Sequence, residues 1–201
     1  MTDHKYESGL GGDLLSTWRS IFERQQAFGE HAFSQLDDEG FFRVLVPGLN
    51  SVGVVARHMG ANMLSRWTDF LTTDGEKATR DRDAELAAFP ESMTPEQRHA
   101  ARAQVMDVWV RGWGTLFGTL DALSEADLSR TVTIRGAAHA VHAAIARQLD
   151  HYAFHVGQIN LLARQIVGTD RWKWFTLPPG GTREFNERMR RTHAPGAPGN
   201  G

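Results

Sequence analysis

The stretch that decides the fold is AHAVHAAIARQLDHYAFHVGQINLLARQIV, residues 138–167. Its apolar residues recur at intervals of three and four positions, which places their side chains on one face of an α-helix. This stripe consists of Val141, Ile145, Tyr152, Val156, Ile159 and Ala163. Gly168 follows the last periodic residue and is typical of a helix end. The stretch therefore predicts a long amphipathic helix.

Three earlier stretches show the same helical period. The first follows Asp13, a candidate cap, and ends at three acidic residues and a glycine, 37–40. The second follows a Pro-Gly loop and has Asn50 or Ser51 as its cap. The third begins at Thr94, where threonine, proline and glutamate in succession are typical of a cap and a first helical turn. Together with residues 138–167, these stretches predict four long helices.

Four long amphipathic helices predict an all-α fold, a four-helix bundle. Residues 131–134 are β-branched at every position and predict a short extended segment before the last long helix. The polar stretch 72–90 is too long for a tight connection, and such loops are often functional or mobile. Beyond the last long helix we expect a small C-terminal extension with a short polar helix. The expected boundaries are a flexible N-terminus over 1–12, a single domain over 13–191 and a disordered tail over 192–201.

The composition argues against several function classes. The formal net charge of −2 provides no basic surface for nucleic acid or for an anionic membrane. The absence of cysteine excludes disulfides, thiolate nucleophiles and iron–sulfur clusters. No uncharged apolar run approaches the ~20 residues that cross a bilayer, and the N-terminus lacks the apolar core of a signal peptide. We therefore expect a cytoplasmic protein.

His151 and His155 are one helical turn apart, so their ring nitrogens can converge on one metal ion. Nine histidines placed at random in this chain would give roughly 0.4 such pairs, so the spacing alone is weak. His151 lies about 100° and His155 about 60° from the centre of the apolar stripe. His58 lies about 120° from the centre of the second-helix stripe.

Positions at the shoulder of a buried face suit a metal site that opens to solvent. The alternative is that His58, His151 and His155 are partly buried histidines satisfied by ordinary hydrogen bonds. The sequence HYAFH lacks the glutamate of the HExxH zinc proteases, so the general base of that mechanism is absent. His139 and His142 are also one turn apart, but we interpret them as capping or surface residues.

Three segments carry a resemblance to a known family. They are residues 50–85, the TVTIRG segment at 131–136, and DHYAFHVGQINLLAR at 150–164. The match continues into WKWFTLPPGGTREFN and covers the chain from Leu14 to about Asn186. These segments resemble the DinB-like superfamily, which includes the YfiT-like thiol transferases, and within it a branch catalogued as a domain of unknown function.

That resemblance implies a four-helix bundle in up-down-down-up order, and homodimers like those of related bundles. It also implies one divalent metal ion, zinc or nickel, bound by a histidine of the second helix and two of the last. The matching residues here are His58, His151 and His155. Three protein ligands leave open coordination positions, as in catalytic sites. The implied function is a metal-dependent hydrolase, or a transferase that uses a low-molecular-weight thiol and a small-molecule substrate.

Other polar residues are candidates for supporting roles. Asn62 and Gln158 lie close to a histidine on the same helix and could hold the ligands in place. The acidic residues Asp69, Asp150 and those of stretch 72–90 could orient a ligand or act as bases, and Arg57, Arg66 and Arg147 could bind an acidic substrate. Each of these charged residues also fits an ordinary solvated surface. The alternative function is a non-catalytic, stress-related protein that binds a metal or another ligand.

Overall fold

The structure is a computed structural model and describes residues 9–193. As predicted, this part of the chain is mostly helical. Four long helices carry most of the core. They are α1 (Leu10–Phe33), α3 (Val52–Trp67), α5 (Pro95–Ala122) and α6 (Val141–Val167). The other described elements are the short helices α2 (Asp38–Phe42), α4 (Arg82–Leu86) and α7 (Thr182–Thr192), a 3-10 turn (Glu125–Ser129), and the strands β1 (Thr131–Ile134) and β2 (Ala137–Ala140).

Helix α3 is central to the packing. It has its most extensive contact with α5 and also packs against α6, while α1 packs mainly against α6. At the α3–α5 crossing the helices approach at backbone distance, because a Cβ added to Gly60 would lie 2.7 Å from the Val108 carbonyl oxygen. A Cβ on Gly112 would likewise lie 2.8 Å from the Gly60 carbonyl oxygen. Only glycine fits at these two positions.

The four long helices meet at a cluster of buried aromatic side chains, to which each helix contributes one ring. The ring of Phe22 lies 6.0 Å from Trp67 and 5.9 Å from Tyr152, centroid to centroid. Trp113 lies 5.8 Å from Tyr152. Within the cluster, the Trp67 indole donates a hydrogen bond of 3.1 Å to the Tyr152 hydroxyl. That bond joins α3 to α6, the two helices that carry the candidate ligands.

The β-branched segment forms β1 of an antiparallel hairpin, in register Thr131 with Ala140. Its two turn residues, Arg135 and Gly136, have φ of 54° and 74°, as a two-residue hairpin turn requires. Residues 137–140 form β2, so α6 begins at Val141, three residues later than predicted. Helical periodicity does not detect this pairing, because it depends on a partner strand.

The connection between α3 and α5 is ordered by contacts with its neighbours. Asp74 accepts hydrogen bonds of 2.8 Å from the backbone N–H groups of Arg135 and Gly136 in the hairpin turn. Ser65 on α3 donates to the Gly75 carbonyl at 2.9 Å. Residues 82–86 form α4, which sequence periodicity did not reveal. The polar stretch 72–90 is therefore tied to the helices and the hairpin on both sides.

The capping residues predicted from the sequence can be compared with the observed starts of the helices. Thr94 forms a capping box with Gln97 and Pro95 begins α5, as predicted, and Ser51 caps α3. The first helix begins at Leu10 rather than after Asp13, because Gly11 and Gly12 are buried in α1 and the Gly11 N–H donates to Glu125.

The predicted tails lie largely outside the described residues, which exclude 1–8 and 194–201. Within the described range, residues 10–12 belong to α1 and the short polar helix expected in the extension is α7. The single-domain boundaries stay a prediction. None of the helices in residues 9–193 is long and apolar enough to cross a membrane.

Gly112→Ala tests the close crossing of α3 and α5. We expect it to lower the free energy of unfolding by about 1–3 kcal/mol, because the new methyl group meets backbone atoms that cannot rotate away. Urea denaturation followed by circular dichroism measures this change. The matched control is Gly114→Ala in the same helix, where nothing lies within 4 Å of the added Cβ. It should raise the free energy of unfolding by about 0.5–1 kcal/mol. Equal effects of the two substitutions would contradict a close backbone contact between α3 and α5 at Gly112.

Candidate metal centre

The structure brings together the three histidines singled out in the sequence. His58 lies on α3, and His151 and His155 lie on the facing side of α6. The His58 ring centroid is 5.6 Å from that of His151 and 5.0 Å from that of His155. One ring nitrogen from each residue can be chosen so that all three lie within 4.8 Å of one another. The three side chains could therefore hold one metal ion.

The orientation of His58 is set by a residue of the α3–α5 connection. His58 is 3% exposed, and its Nδ1–H donates to Glu85 Oε2 at 3.0 Å. In the neutral imidazole, this bond leaves the lone pair on Nε2 of His58. A carboxylate on the far ring nitrogen is the usual partner of a metal-binding histidine, because it fixes the tautomer and raises the basicity of the ligand nitrogen.

Glu85 is held in turn by Arg80. Arg80 donates from Nε to Oε1 at 2.7 Å and from Nη2 to Oε2 at 2.6 Å. Burial alone would raise the pKa of Glu85, yet hydrogen bonds from His58 and Arg80 and the charge of Arg80 hold it below its ordinary value. Glu85 is therefore ionised at neutral pH although it is buried. Its bond to His58 is charge-assisted.

The two histidines of α6 contact each other. The His155 Nε2 and His151 Nε2 atoms are 3.0 Å apart. The Nδ1–H of His155 donates to Gln158 Oε1 at 2.8 Å, so Nε2 of His155 carries the lone pair and Nε2 of His151 carries the proton between them. A cation bound to both Nε2 atoms would occupy the position of that shared proton.

Both histidines of α6 are held in the neutral form. Burial lowers the pKa of His151 to about 3, and the two neighbouring histidines and two nearby arginines add to the shift. Burial also lowers the pKa of His155, against the opposing effect of the Gln158 hydrogen bond. Neutral imidazole is the form that binds a metal ion.

The donor set fits a borderline-soft divalent ion. Two nitrogens bound to one tetrahedral zinc ion are about 3.3 Å apart. The three histidine nitrogens lie within 4.8 Å of one another, so small side-chain rotations could bring them to the spacing that a zinc ion requires. Three imidazoles are the ligands of several catalytic zinc sites, and imidazole equally suits nickel, iron and copper.

The two supporting residues proposed from the sequence differ in position. Gln158 contacts His155, as the spacing suggested. Asn62 lies on the wall of a cavity that the three histidines also line, but its side-chain oxygen accepts a 3.1 Å hydrogen bond from the Tyr152 hydroxyl. Asn62 thus extends the Trp67–Tyr152 bond and helps to hold α3 against α6. The spacing of Asn62 from His58 correctly predicted the face of α3 on which Asn62 lies. It did not predict the hydrogen bond with Tyr152.

Sequence reasoning did not single out Glu85 or Arg80. Glu85 belonged to the acidic residues of stretch 72–90, but nothing distinguished it from its neighbours. It is 27 residues from His58, so no helical period links the two. The available local signal was Asp81, whose side chain accepts from the Ala84 N–H and caps a helix that would present Glu85. Among the other acidic candidates, Asp150 lines the cavity and Asp69 lies elsewhere.

The histidines lie on the wall of a cavity of about 560 Å³, a size that suits a small molecule. The cavity is lined by side chains of α3, α4, α6 and the hairpin turn. Of the three arginines proposed from the sequence, Arg66 and Arg147 line it. Arg57 instead donates to the backbone carbonyls of Glu85 and Ala87. It therefore holds the connection in place.

Fold and site together define a mostly helical protein with a candidate three-histidine metal centre. The chain belongs to the DUF1572 family, described as a protein of unknown function, whose family model matches residues 10–181. This match confirms the resemblance to a domain of unknown function, while the wider DinB-like assignment stays a prediction. No curated protein and no solved structure matches the chain.

The lowered histidine pKa values predict a pH dependence for metal-free protein. Between pH 6.5 and about 3, His151 takes up a proton in the unfolded chain but not in the folded one. Stability should therefore fall as the pH is lowered from 7 to 5. In wild-type protein treated with a chelator, we expect the thermal midpoint to fall over this range, and His151→Gln should flatten the slope. Thermal melts at several pH values measure this dependence of the thermal midpoint on pH.

The control for this series is His193→Gln, an exposed histidine at the end of α7. Its slope between pH 7 and pH 5 should follow that of the wild type. Parallel slopes for the wild type and His151→Gln would contradict the prediction. Carboxylates with lowered pKa values act mainly below pH 5, so they do not obscure this window.

Proposed function

We propose that this protein is a divalent-metal-dependent enzyme of the DinB-like superfamily, either a hydrolase or a transferase that uses a low-molecular-weight thiol. The observation that carries the proposal is the convergence of three histidines on the wall of an open cavity. A purely structural metal ion is usually enclosed by four protein ligands, whereas three ligands facing a cavity leave room for a reacting molecule.

His58, His151 and His155 would hold the ion, and zinc or nickel is the proposed occupant. A divalent ion held this way lowers the pKa of a water molecule or thiol that enters its open position, so either becomes a better nucleophile at neutral pH. The chain itself supplies no cysteine thiol, so in the transferase version the thiol comes from a small molecule. In both versions, the cavity determines which small molecule reacts with the activated water or thiol.

The residues around the histidines prepare them for this role. Ionised Glu85 keeps the proton of His58 on Nδ1 and directs Nε2 towards the other two rings. Gln158 does the same for His155 through its side-chain oxygen. Because Arg80 and the fold of the α3–α5 connection hold Glu85, the orientation of His58 is set before any ion binds.

The four long helices are compatible with the four-helix bundle of this superfamily, in its up-down-down-up order. Membership in DUF1572 supports a shared fold along residues 10–181 but brings no reaction with it. We further propose that the protein acts in the cytoplasm, on a small molecule rather than on nucleic acid, and that it forms a homodimer. Size-exclusion chromatography with light scattering tests the last point.

Metal content is the first test of the proposal. Untagged wild-type protein purified after exposure to zinc or nickel should contain one ion per chain by elemental analysis, and His58→Ala should contain almost none. Glu85→Ala should still bind the ion, with an affinity lower by about 10- to 100-fold because the orienting carboxylate is lost. The matched control is His99→Ala, an exposed histidine outside the centre, which should match the wild type.

Metal-free wild-type protein under these loading conditions, or equal metal content in wild type and His58→Ala, would rule out the centre. A cobalt-loaded sample adds an independent check. Its visible absorption reports the number and type of ligands and should change in His58→Ala but not in His99→Ala.

Turnover is the second test. Metal-loaded protein should either consume an electrophile only when a low-molecular-weight thiol is added, or hydrolyse esters or amides without one. His151→Ala should reduce that rate by about 100-fold or more, since losing a ligand costs at least as much as losing the partner of a ligand. His142→Ala is the control, because that histidine bonds to the Leu128 carbonyl outside the centre. One bound ion per chain without either kind of turnover would favour a non-catalytic binding protein.

A further inference from the structure

The cavity in front of the three histidines has a strongly positive wall. Its charged lining consists of one carboxylate, Asp150, and five guanidinium groups. The arginines come from separate parts of the chain, namely α3, the α3–α5 connection just before and at the start of α4, the hairpin turn and α6. They are Arg66, Arg80, Arg82, Arg135 and Arg147. This concentration contrasts with the whole chain, where acidic residues outnumber basic ones by 24 to 22.

The carboxylates within reach do not neutralise this wall. Glu76 serves three of the arginines at once, with contacts of 3.0 Å to Arg66, 3.1 Å to Arg80 and 3.5 Å to Arg135. Glu85 is engaged by Arg80. In the part of the chain that the structure describes, Arg82 and Arg147 have no ion-pair partner. Three carboxylates, with Asp150 included, therefore oppose five guanidinium groups.

Arg66 is the most unusual of these side chains. It is 5% exposed, yet among the described residues its Nε and Nη1 atoms have no hydrogen-bond partner, and only Nη2 is paired, with Glu76. Leaving donors of a buried cation unpaired is costly, so such donors usually bind water, an ion or a ligand. On the same wall, Gln148 is 4% exposed, and its side-chain oxygen has no hydrogen-bond partner among the described residues. Two buried polar side chains of the cavity lining therefore keep hydrogen-bonding capacity that residues 9–193 do not use.

We infer that this cavity binds a small molecule through an oxyanion group, a carboxylate or a phosphoryl group, which Arg66 engages within the cavity and Arg82 and Arg147 attract. The inference rests on the proposed function, because it names the substrate class of the same site. Three neutral histidines would leave the charge of a bound divalent ion uncompensated, which adds to the attraction for an anion. Gln148 offers an acceptor to an N–H or O–H group of the same molecule.

Isothermal titration with simple probes tests the inference. Succinate and inorganic phosphate are titrated into the chain, both metal-free and metal-loaded, with succinamide as the neutral probe of matched shape. We expect at least one anion to bind at least tenfold more tightly than succinamide, with an affinity that falls as salt is added. Tighter binding of succinate indicates a carboxylate substrate, and tighter binding of phosphate a phosphoryl substrate.

Variants locate the binding site. Arg66→Gln should weaken the preferred anion by at least tenfold, and Arg147→Gln by about threefold because that side chain is exposed. Arg183→Gln is the matched control, an exposed arginine on α7 outside the cavity wall, and should bind like the wild type. If Arg66→Gln fails to fold, the double variant Arg82→Gln/Arg147→Gln decides, and it should weaken binding by about tenfold.

Two results would overturn the inference. One is anion binding no tighter than that of succinamide, and the other is anion binding that the cavity variants leave unchanged. The metal content of each sample is measured in parallel. One ion per chain without anion binding refutes the oxyanion site and leaves the proposed function standing. Anion binding that depends on Arg66 in protein that takes up no metal supports the oxyanion site and refutes the metal enzyme.

Discussion

The close approach of α3 to α5 is the constraint on which the rest of the structure depends. Gly60 and Gly112 let the two backbones meet, so α3 lies deep in the molecule. Two residues along a helix correspond to about 200° of rotation, so when Gly60 faces α5 the side chain of His58 points away from it. That opposite side is where α6 and Glu85 lie. A bulkier residue at either glycine would displace the helix that carries His58.

The second determinant is a chain of polar contacts that joins the site to its surroundings. Trp67, Tyr152 and Asn62 link α3 to α6 within the core, whereas the bond between His58 and Glu85 links α3 to the α3–α5 connection, where Arg80 holds Glu85. Buried ion pairs contribute little net stability, because desolvation cancels much of their attraction. A buried Arg80–Glu85 pair is therefore better explained by the position that it gives to His58 than by any gain in folding free energy.

The same connection serves the centre and the cavity together. Asp74 binds it to the hairpin turn, Ser65 binds it to α3, and Glu85 reaches the histidine. Its arginines form part of the cavity wall. A long polar stretch that a sequence pattern marks only as functional or mobile is here an ordered element, because Asp74, Gly75 and Glu85 bond to the hairpin turn and to α3.

Local patterns in the sequence determined much of this protein. The four long helices follow from apolar periodicity, the starts of α3 and α5 from capping residues, and the pairing of His151 with His155 from a spacing of one turn. His58 was added through its position on the second helix and through the resemblance to a family, because no spacing along the chain connects it to α6. Helix starts failed where long-range contacts overrode propensity, as at Gly11, which bonds to Glu125, and at residues 137–140, which pair with β1.

Tertiary structure alone decided the partner of His58, the depth at which Arg66 is buried, and the cavity that the arginines share. Hydrogen bonds between residues 27 or more positions apart, such as Glu85 with His58, leave no period in the sequence. Burial of a charge likewise depends on every element packed around it. The sequence by itself determined which side chains could form a metal centre. The packing of α3 between α5 and α6 decided that they meet, since only that packing brings groups from distant segments into contact.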